Sequence, residues 1–196
     1  MGTELLPADI RALYEVHEWK HACAILVQDF PEEWAEIIEV LRGFQLRRSW
    51  LAEAGGSKSK ISGAIDGALY AKGWEEKQFA TEMIVDGVAM KSPTHKVDCF
   101  KNRVALEIEW NNKDPFFDRD LNNFRLLFDL RTVSVGVIIT RCDAIQQIVN
   151  ELGRGSSFGA STTHMSKLLP RIQGGSSGGC PILVFGISPA LYRPEE

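Results

Sequence analysis

The sequence has no long apolar run, no closely paired cysteines and no large excess of either charge. Without roughly 18 consecutive apolar residues it offers no candidate transmembrane helix, and no membrane partner is expected. The four cysteines (Cys23, Cys99, Cys142 and Cys180) are scattered and form no C-x-x-C pair. That argues against a zinc site or a disulfide framework and fits reduced, buried thiols in a cytoplasm. The opening MGTELLPADI lacks the basic and apolar regions of a signal peptide, which again leads us to expect a cytoplasmic protein. The P-loop spacing G-x-x-x-x-G-K-[ST] is missing too, so no nucleotide cofactor is expected.

Charge is nearly balanced. The formal net charge of −4 argues mildly against a nucleic-acid partner, because such domains are usually basic. Its distribution is uneven: residues 1–56 hold 5 Lys and Arg against 10 Asp and Glu, whereas residues 57–196 hold 17 against 16. A surface near neutrality leaves room for a basic cleft.

What is present is ordinary globular material. A chain of 196 residues with 44% hydrophobic content is long enough to bury one sizeable core. Residues 1–54 read as helices, with LPADIRALYEVHEWKHACAILVQ and DFPEEWAEIIEVLRGF both showing apolar residues near helical spacing. A Gly/Ser/Lys loop and the helix ISGAIDGALYAKGW follow, and KQFATEMIVDGVAM reads as a strand. After a hairpin at 97–110, NNKDPFFDRDLNNFRLLFDLR predicts a helix that buries Phe117, Leu121, Phe124, Leu127 and Phe128. TVSVGVIITR and CPILVFGISP predict strands covered on both faces, with the helix DAIQQIVNELGRG after the first. We expect one α/β domain with a mixed central β-sheet flanked by helices, a helical N-terminal part at 1–54 and a core at 55–196.

The hairpin, VDCFKNRVALEIEW, places three acids in a stretch that otherwise reads as buried β-structure. Alternate strand residues share a face, so Val104, Leu106, Ile108 and Trp110 point one way, and Ala105, Glu107 and Glu109 the other. A two-residue loop at Asn102-Arg103 sets Asp98 opposite Glu107; a loop at Lys101-Asn102 sets it opposite Ala105, still on the acidic face. An odd loop without a bulge would break the convergence. Three carboxylates this close repel one another and are costly to remove from water. Either the face is solvated and Lys96 bridges the strands, or the acids hold a divalent cation such as Mg²⁺.

Asp, eight residues, then Glu-x-Glu on the second strand of a hairpin resembles the active site of PD-(D/E)XK nucleases. More narrowly, HKVDCFKNRVALEIEW is similar to the hairpin of type II restriction endonucleases of the BglII and BstYI branch. The similarity runs from the Gly/Ser/Lys loop through AKGWEEK to PILVFGISP. Two positions depart from the general motif: Glu109 stands where Lys is usual, as in BamHI-like enzymes, and Val97 replaces the proline. The resemblance implies a restriction-endonuclease-like core and hydrolysis of double-stranded DNA by a homodimer at a palindrome with GATC at its centre. It further implies Asp98, Glu107 and the main-chain carbonyl of Ile108 as Mg²⁺ ligands. Glu109 would orient or deprotonate the attacking water, or share a second metal. Two other readings stay open: a repair or mobile-DNA nuclease of the same fold with little sequence preference, and a DNA-binding protein without catalysis.

Two further stretches offer DNA contacts. GGSKSKISG brings flexible main-chain N–H groups with Lys58 and Lys60, a phosphate contact or an ordinary soluble loop. RGSSFGASTTHMSK is dense in groups that can read base edges, and the resemblance places recognition there. We therefore expect DNA contacts from Arg154, Ser156, Ser157, Ser161, Thr162, Thr163 and His164, with Lys167 on a phosphate. Alternatively, Ser161 or Thr162 caps the helix that follows. The G-x-S-x-G match at 155–159 follows a helix rather than a strand, so it does not predict a nucleophile elbow. His17 and His21 lie four apart on the expected helix and read as surface or core histidines rather than metal ligands. Lys113, Arg119 and Arg125, near the motif, could contact the DNA backbone, though each reads first as an ordinary solvated helix position.

Overall fold

Three nearly continuous apolar runs set the centre of the molecule. In the computed structural model, which describes residues 2–53 and 59–195, they are strands β7 (Val104–Glu109), β8 (Val135–Arg141) and β9 (Ile182–Ile187). Every residue of the three is buried. They lie parallel in the order β9-β8-β7. Strands β6 (Val97–Lys101) and β3 (Glu75–Lys77) extend the sheet antiparallel beyond β7, and β1 (Tyr14–Trp19) closes the other edge antiparallel to β9. The result is the expected mixed sheet, covered by helices on both faces.

Side-chain alternation divides the core in two. Leu106, Ile108, Val137, Ile139, Leu183 and Phe185 face helices α1 (Ala8–Leu13), α2 (Ala22–Asp29), α3 (Pro31–Gly43), α4 (Arg48–Ala52), α5 (Lys60–Tyr70) and α7 (Ile145–Glu151). Ala105, Ile138, Ile182 and Val184 face α6 (Phe116–Asp129) and α8 (Met165–Gln173), meeting Phe117, Leu121, Phe124, Leu127, Met165, Leu168 and Ile172. Gly136 permits the close seat of α6 on β8, because a Cβ there would meet the Phe124 ring at 2.6 Å. The four cysteines are free and buried, and no helix among the described residues is long and apolar enough to cross a membrane.

Two expectations need correction. The first N-terminal run is not one helix: α1 stops at Leu13, and Lys20 and His21, at φ 55° and 59°, separate β1 from α2. The N-terminal part is thus built into the central sheet, with Tyr14 opposite Ile187 and Trp19 opposite Ile182. Pairing with β9 outweighs the weak helical periodicity of YEVHEW. His17 therefore shares no helix with His21, and hydrogen-bonds Glu15 instead. The second correction concerns KQFATEMIVDGVAM, which folds into an exposed hairpin of β4 (Glu82–Val85) and β5 (Val88–Lys91). Its turn is Asp86-Gly87, at φ 50° and 80°, a dipeptide suited to a two-residue turn. A last small pairing, β2 (Leu46–Arg47) with β10 (Tyr192–Arg193), ties the C-terminal segment to the start of α4.

Candidate active site

The β6–β7 turn is Asn102-Arg103, both at positive φ (42° and 70°), the geometry of a two-residue hairpin loop. Cys99 pairs with Leu106 and Lys101 with Val104, so continuing the register puts Asp98 opposite Glu107. There the ladder gives way to side chains. The Asp98 N–H donates to Glu107 Oε2 at 3.2 Å, and the Ile108 N–H donates to Asp98 Oδ2 at 2.9 Å. The Asp98 carbonyl accepts from the Tyr70 hydroxyl at 2.9 Å. Each carboxylate therefore holds the backbone of the facing strand at the carboxyl end of the parallel strands, where ligands of α/β folds bind.

Glu109, two residues along the same face, is 2% exposed. It accepts from Asn112 Nδ2 at 2.7 Å and from Arg119 Nη2 at 3.2 Å. Arg119 also donates to Asp120 Oδ1 at 2.8 Å, and its guanidinium lies 4.2 Å from the Phe116 ring centroid. Burial, and then the charge of Asp120, push the Glu109 carboxyl up to about 9. Burial raises Glu107 well above the ordinary carboxylate range, with Asp120 and Asp98 adding to it, and burial raises Asp120 as well. Glu107 Oε1 and Asp120 Oδ2 are buried without hydrogen-bond partners. The site thus concentrates more negative charge than its own cation, Arg119, offsets.

A cleft of about 710 Å³ opens over these acids. Asp98, Ile108 and Glu109 line it; Glu107, fully buried, sits behind them. Of the expected DNA contacts, Lys60, Arg154 and Ser157 line the same cleft. Lys60 Nζ is 2.5 Å from Glu53 Oε1, and Arg154 Nη2 donates to the Glu53 carbonyl at 3.1 Å, so both cations gather at one rim. Lys58 lies outside the described residues. Ser156 and Ser161 are exposed but do not line the cleft, while His164 and Lys167 line a second cavity of about 320 Å³. Phe158 borders both cavities.

Thr162 and Thr163 are corrected from base contacts to scaffold. Both are buried and their hydroxyls are spent internally: Thr162 Oγ1 accepts from Arg141 and donates to the Gly159 carbonyl, and Thr163 Oγ1 accepts from the Asn112 N–H. Residues 155–158 form a 3₁₀ turn after α7, so the G-x-S-x-G match is no nucleophile elbow.

Sequence reasoning passed over four residues of the site. Asp120 was detectable, because it falls three after Phe117 and four before Phe124, on the apolar face of α6, where an acid needs a partner. Arg119 is that partner, not a solvated position. Asp66, 2% exposed on α5, also lines the cleft, and the Cys99 thiol approaches its Oδ1 at 3.6 Å. Asn112 carried no signal, since only the turn after β7 brings it back to Glu109. Among the described residues, no group of three or more His, Cys, Asp and Glu forms a ready metal cage.

Residues 14–187 match the family model described as restriction endonuclease BglII/BglIII. The matched span begins on the first residue of β1 and ends on the last of β9, and so takes in all six strands of the central sheet. A comparison with curated protein sequences found no match.

Proposed function

This chain belongs to the BglII/BglIII restriction endonuclease family, and from that premise we propose a homodimeric, Mg²⁺-dependent enzyme that cuts double-stranded DNA at a short palindrome with GATC at its centre. The observation that carries the reading is the hairpin register, which joins Asp98 to the buried Glu107 and sets Asp98 and Glu109 on a cleft rimmed by Lys60 and Arg154.

Asp98, Glu107 and the Ile108 carbonyl make an all-oxygen donor set, and Glu107 Oε1 has no other partner. That set fits a hard divalent cation, which needs only one or two carboxylates because waters and substrate phosphate complete its shell. Bound there, Mg²⁺ would polarise the scissile phosphate and acidify a water. Glu109, which burial leaves protonated in the metal-free protein, would orient or deprotonate that water once a bound cation has displaced its own proton. Arg119 and Asn112 hold the Glu109 carboxylate in place. Lys60 and Arg154 take backbone phosphates, and Ser156, Ser157, Ser161 and His164 reach base edges. A two-fold palindrome calls for two such sites related by a dimer axis.

The test is digestion of supercoiled plasmid in Mg²⁺ or EDTA, with Asp98→Ala and Glu107→Ala variants shown by circular dichroism to be folded. Discrete fragments that vanish in EDTA and in both variants support the proposal. Plasmid left intact by folded wild-type protein in Mg²⁺ refutes it, and a smear refutes its site specificity.

A further inference from the structure

The second cavity holds a feature that the acidic site does not use. Arg141, the last residue of β8, is 1% exposed and lines this cavity. Its Nη2 donates to the Phe158 carbonyl at 3.2 Å and to Thr162 Oγ1 at 3.0 Å, and its Nη1 reaches Gln146 Oε1 at 3.4 Å. Each of these acceptors is neutral, and Nε has no partner at all. Burial disfavours this guanidinium, its hydrogen bonds go only to neutral oxygens, and Asp143 offsets the cost only in part through space, so the position favours a further anion.

The surroundings fit one. Lys167 lines the same cavity, and its Nζ stands 4.0 Å from Asp114 Oδ2, too far for a hydrogen bond. His164 lines it as well. Asp143 is the one acid that lines it, and its oxygens are already engaged, with no hydrogen bond to Arg141: Oδ1 meets His164 Nδ1 at 2.8 Å and accepts from Ser166 Oγ at 2.7 Å, while Oδ2 accepts the Ser166 N–H at 3.0 Å. Burial depth is graded, with the Lys167 side chain 38% exposed, that of His164 12%, and Arg141 nearly closed off. The flexible Lys167 stands outermost and the fixed fork lies at the base, an arrangement suited to drawing in a phosphate and fixing its oxygens.

We propose that this cavity, with Arg141 at its base and Lys167 at its opening, binds a phosphate group, and that a backbone phosphate of bound DNA supplies it. That source rests on the nuclease reading above. Arg141 ends the strand next to β7, Thr140 pairs with Glu109, and Phe158 borders both cavities. A phosphate held here is therefore a near neighbour of the one being cut, and sets the register of the duplex over the acids.

Two measurements test this without any cleavage. In the first, thermal midpoints of the full chain in EDTA are followed while inorganic phosphate replaces chloride at constant ionic strength. A saturable rise in wild type that is absent in Arg141→Met and in Ala160→Glu is expected. Ala160 is an exposed residue of the cavity wall, so its variant keeps the test open if loss of Arg141 prevents folding. In the second, DNA affinity in EDTA is followed against salt. Losing one phosphate contact lowers the slope of log K by about 0.9, or roughly eightfold in affinity at 0.1 M salt. Equal midpoints in phosphate and chloride, with an unchanged slope in both variants, would overturn the proposal. A phosphate-specific rise with an unchanged DNA slope keeps the site but assigns it to free phosphate. Phosphate binding by a protein that leaves plasmid intact would sink the nuclease reading alone.

Discussion

Replacing Glu109 by Gln gives the most direct measure of the stored charge. In the folded chain this carboxyl is raised from its ordinary 4.5 to about 9 by burial and by Asp120. Between those values the folded state keeps a proton that the unfolded state has released. Stability is therefore greatest below the unfolded value and falls as pH rises toward the folded one. The slope for one such group is about 1.36 kcal/mol per pH unit, so raising pH from 5 to 7 removes about 2.7 kcal/mol through Glu109 alone in the metal-free protein. For a chain of this size that corresponds to a fall of about 5–10 °C in melting temperature. The substituted amide cannot titrate, yet it can still donate to Asp120, so Asp120 is free to ionise and the remaining slope falls further. The assay is urea unfolding in EDTA at pH 5, 6 and 7, with wild type and Glu109→Gln compared at each pH. A variant that loses as much stability as wild type over this range would show that Glu109 does not hold its proton in the folded state, and the electrostatic account of the site would fail.

Other outcomes follow from the same geometry. Asp98→Asn keeps an acceptor for the Ile108 N–H but removes the ligand charge; single-turnover cleavage in Mg²⁺ should fall on the order of 10³-fold with little change in melting. Arg119→Met leaves Glu109 and Asp120 without their cation. Because the Arg119 side chain is 32% exposed, we expect a loss of about 1–3 kcal/mol in chemical denaturation, larger at pH 8 than at pH 5. Thr163→Val orphans the Asn112 N–H and should cost about 1–3 kcal/mol. Site preference, read by sequencing cleaved ends from a random-sequence library, should stay as in wild type.

Much of the site could be read locally. The Asn102-Arg103 turn and the two-residue alternation of β7 are short-range features, and they bring Asp98 against Glu107 within a ten-residue segment. The three buried strands and α6 also declared themselves, through continuous apolar runs and a strong helical stripe. The N-terminal edge strand did not. YEVHEW carries a weak pattern of either kind, and its state is decided by β9, which lies some 170 residues away in sequence. Thr162 and Thr163 were misjudged for a related reason: Ser, Thr and His in a loop look alike whether they face solvent or close a turn from within.

The sequence by itself determined the three buried strands, α6 and the acidic face of the hairpin, because each depends on periodicity or on contacts between near neighbours. Only the tertiary structure decided that Asp66, Arg119 and Asp120 crowd the acids, that Lys60 and Arg154 meet at Glu53, and that Arg141 is buried with its Nε unpartnered. Those facts arise where distant elements pack, and burial, which sets the energy of a charge, belongs to the packed chain and not to any one residue.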